Sequence, residues 1–166
     1  MNQADLEIVL RETLLRHLPQ GWPWPVSRAN QKGSQGRREG VYFFLINDGK
    51  RGWQSRKYPD MEKLVESQIA EVMYQFYSLI EDESKGTAND VINVVRGTLV
   101  SLPMVEDLQS QGVGVQRPTD VLNPVFVNDR DQYDSNPNFT IIFTHTRSLE
   151  LDVPFTSVVE PNLQHF

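Results

Sequence analysis

Apolar residues near the start of the chain recur at the spacing of a helix surface. The stripe consists of Leu6, Leu10, Leu14 and Leu18, widened by Ile8, Val9 and Leu15. This spacing predicts a helix over residues 3–18 that buries one face. Asn2 precedes the stripe as a helix cap and Pro19 follows it as a stop, so both boundaries are marked in the sequence.

A second helical stripe lies in the middle of the chain, over residues 87–102. Thr87 stands as the cap with Asp90 three residues later, which is the spacing of a capping box. Pro103 follows the stripe and is expected to end the helix. The predicted packing side comprises Val91, Val95, Thr98 and Leu102, joined by Ile92, Val94 and Leu99.

Other segments have the composition and alternation of strands. Residues 41–46, VYFFLI, are apolar on both faces and predict a buried strand. The Asp-Gly pair in 47–50 predicts a tight hairpin turn, with 53–58 as the returning strand. Residues 112–118, GVGVQRP, predict a short strand, and the long alternation of 139–153 predicts another.

Residues 65–80, VESQIAEVMYQFYSLI, fit two periodicities. Val65, Ile69, Val72, Phe76 and Leu79 form a helical stripe. Alternate residues from Ala70 to Phe76, together with Ile80, fit one face of a strand. Aromatic and β-branched side chains favour the strand slightly, so the local pattern leaves both structures open.

The order of these elements indicates one α+β domain over residues 1–166, with a mostly antiparallel sheet flanked by two main α-helices. Three segments lie outside the regular elements: a flexible basic loop at 28–40, a long loop at 118–138 and a C-terminal tail at 154–166. Alternating Trp and Pro in GWPWPV predict an extended strap whose Trp22 and Trp24 pack against the domain.

Charge is distributed unevenly along the 166 residues. The net charge is −6, yet residues 28–57 hold eight of the sixteen basic residues and two acids, giving +6 there and −12 elsewhere. A globally acidic chain is a poor general DNA binder, because affinity for DNA depends on neutralising phosphates. A chain with one basic and one acidic region is suited to docking onto copies of itself or onto a partner.

Catalytic and metal-binding patterns are missing from the sequence. There is no cysteine, and His17, His145 and His165 are scattered without the spacing of a metal site or a triad. Residues 128–136, NDRDQYDSN, lack the glycine and glutamate that an EF-hand calcium loop requires. The sequence therefore predicts a protein that is not an enzyme and needs no cofactor or metal.

The ordered combination of segments resembles the small neck or tail-terminator (head–tail joining) proteins of tailed bacteriophages. The segments are GVYFFLIND, VESQIAEVMYQFYSLIED, TANDVINVVRGTLVSL, MVEDLQSQGVGVQRPTDVLNP and NFTIIFTHTRSLELDVP, spread over residues 1–155. The resemblance implies that 65–80 is a strand and that the fold is tail-terminator-like. It also implies a structural virion protein in a hexameric ring, which caps the tail tube and joins it to the head connector.

The same resemblance implies a set of partners and a location. The partners are other copies of the chain, the head–tail connector or stopper protein, and the tail tube protein, with the sheath if the tail is contractile. We expect no membrane contact, and DNA only as it passes through the channel. The location is the neck of the virion at the top of the tail, reached from the host cytoplasm during assembly.

The interface candidates come from charge rather than from the resemblance. The basic candidates are Arg28, Lys32, Arg37 and Arg38; the acidic candidates are Glu81, Asp82, Glu83, Asp129, Asp131 and Asp134. We expect the basic loop to contact a neighbouring subunit or the connector. The alternatives are a solvated loop, or a DNA-binding module that uses residues 28–57.

Overall fold

The computed structural model describes residues 1–29, 39–127 and 133–154. The helices are α1 (Gln3–His17), α2 (Ala88–Leu99) and α3 (Leu102–Ser110), with a 3-10 turn at Glu83–Lys85. The strands are β1 (Val26–Arg28), β2 (Gly40–Asp60), β3 (Lys63–Leu79), β4 (Val113–Val115), β5 (Val125–Val127), β6 (Tyr133–Ser135) and β7 (Asn138–Asp152).

Five of these strands form one sheet in the order β1-β2-β3-β7-β4. β1 runs parallel to β2, and the other neighbours are antiparallel. The predicted α+β class with a mostly antiparallel sheet is therefore confirmed. Within 118–138, predicted as a loop, β5 and β6 pair as a separate two-stranded ribbon.

β3 resolves the ambiguity of residues 65–80 in favour of the strand. Alternate side chains from Ala70 to Phe76 are buried, while the residues between them are only partly covered. β3 is paired to β2 on one side and to β7 on the other, which a helix in this position could not do. A strand with apolar residues on both faces also carries apolar residues at helical spacing, and this explains the apparent helical stripe.

The predicted hairpin turn at 47–50 is wrong. β2 continues through it, and Asp48, Gly49 and Lys50 pair with successive residues of β3. Gly49 does not adopt a positive φ, which the predicted tight turn requires. The chain reverses instead at Met61 and Glu62, between the end of β2 and the start of β3. Pairing with the whole length of β3 therefore overrides the local Asp-Gly signal.

All three helices pack on one side of the sheet, which we call the helix face. Their buried side chains are Leu6, Leu10 and Leu14 of α1, Val91, Ile92, Val95 and Leu99 of α2, and Met104 and Leu108 of α3. Aromatic rings of three strands meet beneath them. Phe76 stacks on Phe43 and Phe139, with ring centroids 5.4 and 5.5 Å apart. This aromatic row fixes the relative register of β2, β3 and β7.

The helix predictions are confirmed in place and corrected in detail. Ile8 and Leu15, predicted to widen the stripe of α1, are exposed, and so is Val94 of α2. Leu102 is also exposed, because the second helix ends before it. Pro103 lies in the first turn of α3, where a missing backbone N–H has no cost, so it begins a helix rather than ending one.

β2, β3 and β7 extend beyond the helices as a three-stranded arm, which we define as residues 47–69 and 146–152. None of these residues is buried, and the pairing continues to Lys63 and Asp152 at the tip. Exposed apolar side chains lie along it: Trp53, Tyr58, Met61, Ile69, Leu149 and Leu151. In the part of the chain that the structure describes, no helix is long and apolar enough to cross a membrane.

Replacing Thr87 with Ala should lower the free energy of unfolding by about 1 kcal/mol, because the substitution removes the cap of α2. Thr87 accepts a hydrogen bond from the Asp90 N–H, and Asp90 accepts one from the Thr87 N–H. Thr98→Ala is the matched control inside the same helix and should change stability by less than about 0.5 kcal/mol. Urea denaturation measures both; equal losses would contradict the capping role.

Candidate functional site

Arg28, the first basic candidate, is held by the body of the domain. It ends β1, and its Nε lies 3.4 Å from Oε2 of Glu7. Glu7 is buried and also accepts a hydrogen bond of 3.1 Å from the Tyr74 hydroxyl. Burial, followed by the nearby Glu7 carboxylate, raises the pKa of Tyr74 well above its usual range. Arg28 thus balances a buried carboxylate while half of its side chain stays exposed.

The acidic turn lies directly beside the end of the basic loop. The Glu39 carboxylate accepts hydrogen bonds from the backbone N–H groups of Glu81 and Asp82. Asp82 in turn caps the 3-10 turn by accepting from the Ser84 N–H, which lowers the pKa of Asp82. The two oppositely charged candidate segments therefore meet within one subunit at this point, a proximity that the sequence did not indicate.

Most of the remaining charged candidates lie outside the described residues. Lys32, Arg37 and Arg38 lie outside the described residues, as do Asp129 and Asp131. Asp134 is in β6, opposite Phe126 of β5. The described residues thus bring together Glu81, Asp82 and Glu83 with the end of the basic loop, and they place Arg28 at the other end.

Several basic residues of 28–57 are paired with acids of their own sheet. Arg51 Nη1 lies 3.3 Å from Glu71 Oε1, and Arg56 Nε lies 2.9 Å from Glu66 Oε1. In the described chain, no ion pair engages Lys50 or Lys57. The positive charge that the sequence concentrates in this segment is therefore partly neutralised on the arm, which reduces its suitability for DNA phosphates.

The most exposed aromatic side chain among the described residues was not predicted as a candidate site. Trp53 is 99% exposed and stands on a bulge of β2. Arg51 pairs with Ile69 and Ser55 with Ser67, so three residues of β2 oppose one residue of β3. The signal was present as a Gly-Trp pair between polar residues, but the predicted hairpin placed it at the start of an ordinary strand.

The strap of residues 21–26 forms one wall of an apolar pocket of about 430 Å³. Trp22 and Trp24 meet edge to face with ring centroids 4.9 Å apart, and both pack against the core as predicted. Val91 and Val94 of α2 form the opposite wall. We call this the tryptophan pocket.

The chain matches a known protein family over most of its length. Residues 5–155 match the profile of the E217 gateway protein gp29. The chain belongs to the E217 gateway protein gp29 family. No curated protein matches the chain significantly.

The gateway family is a family of structural phage proteins at the head–tail junction, so the expected phage neck protein is confirmed at this level. Membership also supports the expectation that the chain is not an enzyme. A structural role at the head–tail junction depends on surfaces that contact other phage components. The charged segments, arm and tryptophan pocket of this chain are therefore the relevant candidate sites.

Two of the three histidines of this gateway protein lie in the described residues, one partly buried and one buried. His17 Nε2 is 2.8 Å from Asp107 Oδ2, joining α1 to α3, and this hydrogen bond lowers the pKa of Asp107. His145 is buried on β7, and neither ring nitrogen has a partner among the described residues. His165 lies outside them. Across the described ranges, no group of His, Asp and Glu side chains is arranged to hold a metal ion.

His145 predicts a loss of stability in acid. Burial lowers the pKa of His145 in the folded protein, so the unfolded chain takes up the proton first as pH falls below about 6.5. The free energy of unfolding should therefore decrease from pH 7.5 to 5.5, and it should decrease less in His145→Leu. Urea denaturation at both pH values measures this difference.

His17→Gln is the matched control for this experiment, because it removes a histidine but leaves position 145 intact. It should retain the steeper decrease of the unmodified protein. An identical decrease in the unmodified protein and in His145→Leu would show that another group causes the acid sensitivity.

Proposed function

We propose that this gateway-family protein is a tail terminator: a hexameric ring that caps the tail tube and joins it to the head connector. The observation that carries the proposal is the family match over residues 5–155, nearly the whole chain. The ordered segments that resemble neck and tail-terminator proteins cover the same region. The ring would lie in the neck of the virion, after assembly in the host cytoplasm.

The geometry supports an assembly role of this kind. A ring of identical subunits needs two different surfaces on each subunit, one that meets the preceding copy and one that meets the next. The arm and the helix-covered body are such surfaces. The arm exposes both of its faces, and three strands without a packed face are only marginally stable in water. Coverage by neighbouring proteins would remove this instability.

The proposed partners follow from the position of such a ring. Above it lies the head–tail connector or stopper protein; below it lies the tail tube, with the sheath if the tail is contractile. DNA passes through the channel without being read. The proposal requires no cofactor, no metal and no membrane.

We further propose that the basic loop contacts protein. Its two ends are attached to the body, since the Ala29 N–H donates to the Phe43 carbonyl and Glu39 accepts from the acidic turn. Between these two points the sequence carries Lys32, Arg37 and Arg38. An acidic surface of the adjacent subunit or of the connector is the complementary partner.

DNA binding through residues 28–57 is the competing function, because this segment holds half of the basic residues. The ion pairs of Arg51 and Arg56 with Glu71 and Glu66 count against it. The two functions differ in one measurable property: phosphate contacts make DNA affinity fall steeply with salt. Protein attachment is read directly from the number of joined particles.

Replacing Lys32, Arg37 and Arg38 together with Ser should abolish the attachment of tails to heads and leave the affinity for a DNA duplex unchanged. Electron microscopy of lysates counts joined particles, and a salt series of binding measurements follows the duplex. Replacing Arg16, Arg96 and Arg117 with Ser is the charge-matched control outside the basic loop and the arm, and it should leave attachment intact. Normal attachment together with lost DNA affinity would reverse the assignment in favour of the DNA-binding module.

A further inference from the structure

Trp53 is presented to solvent by a bulge that the protein builds around it. Gly52 adopts φ of 72°, a left-handed conformation that other residues rarely take. Gln68 Nε2 donates to the Gly52 carbonyl at 3.2 Å, and Gln54 Nε2 donates to Glu66 at 2.6 Å. The residues on both sides of Trp53 are thus held by β3, while the indole itself projects fully into water.

A fully exposed tryptophan on a fixed support has the character of an interface anchor. Tryptophan is enriched among the few residues that dominate binding energy, and such anchors insert into pockets of the partner. Basic residues flank it in the sequence: Lys50, Arg51, Arg56 and Lys57. Arg51 and Arg56 are paired with Glu71 and Glu66, so Lys50 and Lys57 supply the positive charge that no ion pair engages in the described chain. A fitting partner therefore offers an apolar recess with acidic residues around it.

The tryptophan pocket on the same chain has these properties. Its volume of about 430 Å³ is open to solvent, and its walls are formed by Pro19, Trp22, Pro23, Trp24, Val91 and Val94. The indole Nε1 of Trp22 is buried without an acceptor in the described chain. An incoming ring would find the aromatic edges and faces of Trp22 and Trp24.

Charge around the pocket complements the surroundings of Trp53. Asp90 lies on the rim, next to Lys85, and the acidic turn with Glu81, Asp82 and Glu83 leads into it. Bonding with Thr87 lowers the pKa of Asp90, so this carboxylate is charged at neutral pH. The lining itself holds one acid and one base, and the three acids of the turn precede Lys85 along the chain. Acids therefore outnumber bases in this region, whereas the lysines that flank Trp53 are positive.

We propose that Trp53 of one subunit inserts into the tryptophan pocket of the next copy of this chain. The inference rests on the proposed ring and specifies its contact. A second copy is the favoured occupant because every subunit carries both halves of the contact with opposite charge. Two different surfaces joined in this way form a heterologous interface, which closes into a ring when the rotation between subunits permits.

The experiment places a photoreactive residue at the anchor, Trp53→p-benzoylphenylalanine. The modified chain is supplied to cells infected with a phage that lacks its own gene for this chain. Irradiation should produce a cross-linked pair of copies, with the attachment mapped by mass spectrometry to residues 19–24 or 91–94. Cross-linking to another phage protein or to a different part of the second copy would overturn the proposal. The absence of any cross-link would overturn it equally.

Two variants test the direction of the contact with purified chains. Trp53→Ala keeps the pocket but has no anchor, and Val94→Arg keeps the anchor but fills the pocket. Each alone should lose self-association by at least roughly ten-fold, the size expected for an interface anchor. Mixed together, they should form pairs that contain one copy of each, detected with a bifunctional cross-linker, and nothing larger. A mixture without mixed pairs would contradict the contact.

Tyr58→Ala and Val100→Arg are the matched controls, since Tyr58 is exposed on β2 and Val100 is exposed directly after α2, both outside the anchor and the pocket. Both should associate like the unmodified chain. The proposed function is tested separately by the presence of the chain in purified particles. If the chain is present but cross-links elsewhere, the contact fails and the tail-terminator function stands; if it is absent, the function fails whatever the cross-link shows.

Discussion

The pairing of β3 with both of its neighbours is the constraint on which the rest of the structure depends. Its ladder with β7 runs without a register shift from Tyr77 and Asn138 to Lys63 and Asp152. Because side chains alternate between faces, a slip of one residue would move Tyr74 and Phe76 from the core into solvent. The helices can then pack only on the face where these rings and those of Phe43 and Phe143 lie. The buried Glu7 near Tyr74 secures α1 to the same face.

The ladders that join β2, β3 and β7 are longer than the hydrophobic core, and this extra length is relevant to function. The helices cover the part of the sheet that contains the aromatic row, and the same three strands continue as an arm without a covering layer. The body supplies stability, and the arm supplies reach. A gateway-family protein at the head–tail junction interacts with other phage head and tail components, and the uncovered arm offers surface for such contacts.

The parts of the fold that could be predicted from sequence are those whose cause is local. The leucine stripe of α1, the cap at Asn2 and the capping box at Thr87 depend on residues within one or two turns, and all three predictions are confirmed. The structure of 65–80 depends on its partners in the sheet, so the local pattern left it open. The turn predicted at Asp48 and Gly49 was wrong for the same reason, because pairing with β3 keeps this segment extended. The pocket and the exposed Trp53 depend on distant segments, and no periodicity could reveal them.

The bulges of β2 have a consequence for the life of the subunit before assembly. The outer edge of an exposed strand is a template on which further chains can add, and a flat, regular edge favours growth of fibres. The register shifts at Leu45/Asn47, at the base of the arm, and at Arg51/Ser55, within the arm, break this edge into short lengths, and Lys50 and Lys57 lie along it. The same irregularity that displays Trp53 therefore protects newly made subunits from open-ended stacking during the interval in which no partner covers them.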